Sequence, residues 1–86
     1  QNYPNPFNPT TQVNFDVPTH SQVNISVFNV LGQKTVTLVD EEMNAGSYVV
    51  DWDGTSDGGN KVSSGIYFYR MEAGSFVETK KMMLLK

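Results

Sequence analysis

The chain has 86 residues, nine of them acidic and six basic, and a net charge of -3. This length corresponds to one domain, and the acidic balance argues against a nucleic-acid-binding surface. There is no cysteine, which excludes disulfides and thiolate zinc sites, and no apolar run approaches the ~18 residues of a membrane span. Because the sequence starts at Gln1, with no signal peptide and no initiating methionine, we expect a fragment or processed product of a longer protein.

Residues 1–10 form a segment rich in proline and asparagine. Three prolines within positions 4–9 favour extended conformations and exclude a helix. Tyr3 and Phe7 are the two aromatic residues of the segment. We interpret it as an extended interdomain lead-in whose aromatic side chains pack on the edge of the domain.

Three strands are predicted next, because apolar and polar residues alternate as they do on half-buried strands. They span Thr11–Val17, 22–30 and 34–40. Phe28 and Val30 fall on the opposite face from the other apolar residues of their strand, which indicates cover on both sides near its end. The residues predicted to face inward are Val13, Phe15, Val17, Val23, Ile25, Val27, Val36 and Leu38.

Polar segments between the strands are interpreted as solvated turns and loops. His20, the only histidine, lies in the turn 19–21, and without a nearby partner it cannot build a metal site. Residues 40–46 contain three adjacent acidic side chains that repel one another, which is typical of a solvated loop.

A fourth strand is predicted at 46–53, with Tyr48, Val50 and Trp52 on one face. Trp52 has the largest apolar surface in the chain, so we expect it at the centre of the core. The long loop that follows is rich in turn-forming residues. Hard oxygen donors in and before it form a weak calcium candidate, without the spacing of a helix-loop-helix calcium site. These donors are Asp51, Asp53, Asp57 and Asn60. Asp and Asn are also the usual residues of tight turns, and we expect turn hydrogen bonds rather than a metal or other cofactor.

The C-terminal segment is predicted to be a hairpin, with strands at 64–71 and 76–86 and a turn at 72–75 around Gly74. The apolar residues at 82–85 would be costly to leave in water, so we expect the return strand to be docked into a sheet.

No segment has helical periodicity, and turns recur every 8–12 residues. The sequence therefore predicts an all-β, immunoglobulin-like antiparallel β-sandwich of six to seven strands, with a small barrel as the alternative.

Catalytic constellations are missing from the sequence. There is no cysteine, the single histidine lies in a turn, and the carboxylates of Asp51 and Asp53 imply no deep pocket. We therefore expect no enzymatic activity. If Ile66 and Phe68 fill the core, Tyr67 and Tyr69 are exposed side by side and form a platform on which a sugar ring stacks; a cross-strand pair is the plainer interpretation.

Five motifs occur in order along the chain: NYPNPFNPTT (2–11), VFNVLGQK (27–34), GSY with DWDG (46–48 and 51–54), SGIYFYR (64–70) and KKMMLLK (80–86). Together they resemble the type A C-terminal sorting domain of the bacterial type IX secretion system, over the whole chain, as one domain from residue 1 to residue 86. The immunoglobulin-like domain of the flagellar hook-capping protein is similar over the central motifs.

This resemblance implies a secretion signal that directs an N-terminal cargo domain through the outer-membrane translocon. The implied partners are the translocon and a sortase-like protease, with no nucleic acid and no small-molecule substrate. The implied location is the periplasm in transit, then the cell surface or the medium. A structural accessory module and a carbohydrate-binding module of a secreted enzyme are the alternatives. The residues assigned to partner recognition are Pro4, Asn5, Pro6, Phe7, Gly65, Tyr67, Lys80, Lys81, Leu84, Leu85 and Lys86.

Overall fold

The computed structural model describes residues 11–85 as six antiparallel strands in two sheets. One sheet has the order β1-β4, and the other has the order β3-β2-β5-β6. The strands are β1 (Thr11–Val17), β2 (Ser21–Phe28), β3 (Lys34–Met43), β4 (Gly46–Trp52), β5 (Gly65–Ala73) and β6 (Phe76–Leu84). Two separate sheets make this a sandwich, so the predicted fold class is confirmed and the barrel alternative is wrong. No helix within the described range could span a membrane.

The space between the two sheets is filled by side chains from all the strands. Trp52 is 1% exposed and meets the Tyr67 ring edge-on at 5.0 Å. Its Nε1 donates a hydrogen bond of 2.9 Å to the carbonyl oxygen of Thr55, which satisfies the one polar atom that such burial would otherwise leave unpaired. The predicted position of Trp52 at the centre of the core is confirmed.

Strands β1 and β2 follow the predicted alternation. Val13, Phe15 and Val17 of β1 are buried, while the polar residues between them are exposed. Val23, Ile25 and Val27 of β2 are fully buried. Phe28 is half-buried on the opposite face, but Val30 is exposed, so the expected cover on that face does not extend to the end of the predicted strand.

Strand β3 differs from the prediction in length and phase. It continues three residues beyond its predicted end, to Met43, so the acidic loop predicted at 40–46 is wrong for residues 41–43, which pair with β2. Gln22 Nε2 donates 2.9 Å to Asp40 Oδ1 across this pairing. A bulge leaves Leu38 without a partner between two pairs, so Val39 is buried while Val36 and Leu38 are only partly buried against the core.

The C-terminal hairpin turns more tightly than predicted. Ala73 pairs with Phe76, so the turn is Gly74 and Ser75 rather than the predicted four residues. Gly74 has φ +63°, which suits the first position of a two-residue hairpin turn. Strand β6 ends at Leu84 and forms the edge of the four-stranded sheet. The predicted docking of the terminal strand is therefore confirmed for Leu84 and in part for Met82, whereas Met83 and Leu85 are exposed.

Candidate recognition surface

The two faces of the C-terminal hairpin are opposite to the arrangement that the sugar platform needs. Tyr67 and Tyr69 are only 6% and 7% exposed, and both belong to the core. Ile66 and Phe68 face outward instead. The predicted platform of Tyr67 and Tyr69 is therefore wrong, because no ring of this pair is presented to solvent.

Tyr67 and Leu84 hold the hairpin in place. The Tyr67 hydroxyl donates a hydrogen bond of 2.7 Å to the carbonyl oxygen of Ser63. Leu84 is 1% exposed and lies over Gly54, where an added Cβ would come within 3.1 Å of its Cδ2. Gly54 also has φ +81°, a conformation that side-chain-bearing residues rarely adopt. The glycine that ends the DWDG motif thus leaves room for Leu84 of the terminal strand. A role of Tyr67 and Leu84 in partner recognition stays a prediction.

Three other predicted recognition residues lie at the surface of the hairpin. Lys80 and Lys81 are exposed, with Lys80 Nζ 3.7 Å from Glu78 Oε2. Leu85 is exposed just beyond β6. Gly65 starts β5 opposite Leu84 and is partly exposed.

The other predicted recognition residues belong to residues 1–10 and to the last position, which lie outside the described residues. They are Pro4, Asn5, Pro6, Phe7 and Lys86.

An apolar surface covers one end of the outer face of the four-stranded sheet. Ile66 pairs with Met83, and Phe68 pairs with both Phe28 and Lys81. The turn after β2 adds Val30 and Leu31. We name this surface the outer patch and define it as Phe28, Val30, Leu31, Ile66, Phe68 and Met83. Sequence reasoning missed it because it considered Ile66 and Phe68 only as possible core residues.

Three of the four predicted calcium donors take part in hydrogen bonds of the loop after β4, within the loop or to β3. Asp53 Oδ1 accepts from the Thr55 hydroxyl at 2.6 Å and from its backbone N–H at 3.2 Å. The hydrogen bond from the Thr55 hydroxyl lowers the pKa of Asp53 from its ordinary value. Asp57 Oδ1 accepts from the Thr37 N–H at 3.2 Å, and the carbonyl oxygen of Asn60 accepts from Ser56 N–H at 2.8 Å.

Asp51, the remaining predicted donor, is exposed on β4. Within the described range no three histidine or carboxylate side chains cluster as metal ligands.

His20 has partners that sequence reasoning did not find. Its Nδ1 lies 2.8 Å from Asn44 Oδ1 and its Nε2 lies 2.7 Å from Glu42 Oε1. The protonated imidazole donates to both oxygens, so the hydrogen bonds to Asn44 and Glu42 raise the pKa of His20. The prediction that His20 has no nearby partner is wrong, although its exposure is as expected. Both partners are more than 20 positions away in sequence, so no pattern of neighbouring residues predicts these contacts.

A known protein family matches this chain. The secretion system C-terminal sorting domain family matches residues 1–85, almost the entire chain. The chain belongs to this family. No curated protein matches it.

Two solved structures share the fold of this sorting domain. FlgD from P. aeruginosa is 22% identical with a TM-score of 0.70, and the match covers 87% of this chain and 58% of that one. FlgD from Xanthomonas campestris, described as a hook-capping protein essential for flagellar assembly, is 19% identical with a TM-score of 0.69, covering 90% and 56%. The sorting domain thus spans less than two thirds of either FlgD chain, and at these identities the likeness is one of fold.

The middle motifs of the sorting domain are explained by local structure. In the turn after β2, Asn29 Oδ1 accepts from the N–H groups of Leu31 and Gln33, and Gly32 takes φ +80°. In the GSY motif, Ser47 donates to Asp16 at 2.7 Å and Tyr48 donates to the carbonyl oxygen of Asn44 at 2.7 Å. These residues fasten turns and neighbouring strands, so their motif positions serve the fold.

Proposed function

We propose that this sorting domain directs a cargo protein, attached before its N-terminal end, through the type IX translocon and across the outer membrane. Its role is that of a targeting signal and not that of a catalyst. The cargo passes through the periplasm, a sortase-like protease acts on the domain, and the cargo reaches the cell surface or the medium. The family match over residues 1–85 is the observation that carries this proposal.

The architecture suits a signal that is read in the folded state. Strand β6 is fixed by nine residue pairs with β5 and by burial of Leu84, yet Lys80 and Lys81 remain in solvent. A partner therefore meets a basic strand edge of defined geometry on a domain whose net charge is -3. Such charge placement favours recognition by an acidic partner surface.

The recognition residues in this proposal divide into two groups. The first group contacts the partner directly: Pro4, Asn5, Pro6, Phe7, Gly65, Lys80, Lys81, Leu85 and Lys86. The second group, Tyr67 and Leu84, holds the terminal hairpin in the conformation that the partner reads.

The primary experiment fuses the whole chain behind a periplasmic passenger in a host with type IX machinery. We expect the passenger at the cell surface or in the medium, and in the periplasm when the fusion lacks residues 80–86. If the intact domain leaves a folded passenger in the periplasm, the secretion role is refuted and the accessory-module alternative takes its place.

A charge-only comparison separates recognition from folding. The double variant Lys80→Gln and Lys81→Gln is compared with Lys34→Gln and Lys61→Gln, which removes the same charge from exposed positions outside the hairpin. Exposed lysines contribute little to stability, so both variants should keep the parent circular dichroism spectrum and melting temperature. We expect reduced export only for the first. Equal export of the two folded variants would remove the lysines from the recognition residues.

A further inference from the structure

The outer patch is one continuous surface rather than scattered exposed residues. Val30, Leu31 and Met83 are 67%, 78% and 56% exposed. A depression of about 310 Å³ is lined by Phe28, Val30 and Phe68 among others. A second depression adds Leu31 and Ile66, and a third, of about 220 Å³, joins Ile66 to Met83. A contiguous apolar surface of this kind on a small domain usually marks a contact site.

The chain enters the described structure beside this patch. The Thr11 hydroxyl donates a hydrogen bond of 3.3 Å to the carbonyl oxygen of Met83. Thr11 is therefore held against the end of β6, at the border of the depression that Met83 and Ile66 line. Whatever conformation residues 1–10 adopt, their attachment point is next to the outer patch.

We propose that residues 1–10 lie across the outer patch, with the Phe7 ring in the depression at Ile66 and Met83 and the Tyr3 ring in the depression at Phe28 and Phe68.

The spacing of the two aromatic residues supports this arrangement. Phe7 is four residues before Thr11, a reach of roughly 13 Å in an extended chain, and Ile66 lies one strand away from Met83. Tyr3 is a further four residues away, and Phe28 is two strands from Met83, about 10 Å across the sheet. Four extended residues, roughly 13 Å, are therefore long enough to carry the two rings to the two depressions.

The composition of the segment fits the same site. Residues 1–10 include no acidic or basic side chain, so placing them on an apolar surface buries no charge. Three prolines restrict the free segment, which lowers the entropy lost on docking. Arg70 lines the first depression and Lys81 the third, where their cationic groups can lie against the faces of the two rings.

The arrangement also explains how both ends of the chain contribute to one recognition surface. Phe7 and Lys81, assigned to recognition from opposite ends of the sequence, become neighbours on the same face. The packing itself does not depend on the secretion role, and it is tested on the isolated chain without a secretion assay, so the two proposals fail separately.

Methionine methyl NMR on the full chain tests the contact directly. Only four methionines are present; Met83 is exposed beside the patch and Met71 is buried in the core, where it serves as the internal reference. We expect the Met83 methyl resonance to be displaced by the Phe7 ring. It should move toward the position of a solvated methionine in Phe7→Leu, while Met71 stays in place. Asn2→Ala with Asn8→Ala, the matched control in the same segment, should leave Met83 unchanged.

Two outcomes would overturn the proposal. A Met83 resonance that is identical in the parent and in Phe7→Leu excludes the contact. A displacement that disappears on dilution assigns the patch to a second copy of the chain.

A cross-linking experiment gives an independent measurement, because the chain has no cysteine of its own. Phe7→Cys with Met83→Cys should form an intramolecular disulfide under mild oxidation, which requires Cα atoms within about 7 Å. Phe7→Cys with Val49→Cys, an exposed position on the other sheet, is the control. Equal disulfide yield in the two variants contradicts the proposed docking.

Discussion

The β1–β4 sheet and the β5–β6 hairpin use apolar residues in different ways. In β1 the outward residues are Gln12, Asn14 and Asp16, so one face is buried and the other is polar. In the hairpin, the inward Tyr67 and Tyr69 are backed by apolar residues on the outer face, including Ile66 and Met83. The first pattern is what a fold alone requires. The second pattern leaves apolar side chains exposed on the outer face, and for this reason we propose the hairpin as the interaction surface.

Strand β6 makes the contrast sharper. Leu84 is its one buried residue, whereas β1 buries three. Its attachment comes from backbone pairing along its length, from the buried Leu84 at its end and from the partly buried Met82. The backbone pairing holds β6 in a defined position, and most of its side chains remain exposed for contact with a partner.

The largest effect is expected from truncating the core residue of the β1–β4 sheet. Trp52→Ala should lower the free energy of unfolding by about 3–5 kcal/mol, as large aromatic truncations in cores do. Chemical denaturation of the parent and the variant measures this difference. An unchanged midpoint in the variant would show that the Trp52–Tyr67 contact does not organise the core.

A matched pair in β6 tests the division between its two faces. Leu84→Ala removes the buried side chain over Gly54 and should cost about 2–5 kcal/mol. Met83→Ala, one residue earlier on the outer face, should change stability by about 0.5 kcal/mol or less in the Phe7→Leu background, where the proposed cover is removed. Equal losses in the two variants would mean that both faces of β6 are packed; a loss for Met83→Ala that vanishes in the Phe7→Leu background identifies the lead-in as the cover.

The sequence predicts the strands that have one polar face better than the hairpin, which has apolar residues on both faces. In β1 and β2, strict alternation identifies the inward residues because polar neighbours mark the other face. In β5 the run from Ile66 to Tyr69 is apolar or aromatic throughout, so the sequence does not show which residues face inward. The arrangement that it suggested, with Ile66 and Phe68 in the core, is wrong. Only pairing with β2 and β6 decides which face is inward.

The other wrong predictions concern contacts between residues that are distant in the sequence. The bulge at Leu38 depends on how β3 aligns with β2, and the contacts of His20 depend on how two distant turns meet. Glycines with an evident turn, such as Gly74, were identified from sequence, whereas the role of Gly54 depends on its contact with Leu84. The sequence identified the family through its motifs, and the motif residues around the turns after β2 and β4 serve the fold.

A smaller, pH-dependent effect is expected where the turn after β1 meets the turn after β3. The pKa of His20 is raised by its hydrogen bonds to Asn44 and Glu42, so the folded state binds the proton more tightly than the unfolded chain. This contribution is complete below the ordinary value of 6.5 and is lost as pH rises through the higher folded pKa. Melting temperatures measured from acid to mildly alkaline pH should fall across that window.

The His20→Gln variant is the control for this titration. It should lack that segment of the pH profile while keeping the rest, because glutamine cannot take up the proton. A parent and a variant with parallel profiles would show that the two turns are not linked through the imidazolium.

The smallest effect is expected at the loop that follows β4. Asp53 and Asp57 already accept hydrogen bonds from Thr55 and Thr37, so a cation would have to displace these bonds rather than fill an open set of ligands. A metal that binds the folded state stabilises it by mass action, about 2.7 kcal/mol at a hundredfold excess over Kd. We therefore expect the thermal melts in calcium and in chelator to overlap. Asp53→Asn, which weakens the acceptor for Thr55, should lower the melting temperature equally in both solutions. A rise with calcium in the parent that is absent in Asp53→Asn would establish a metal site here and reverse the assignment of these carboxylates to turn formation.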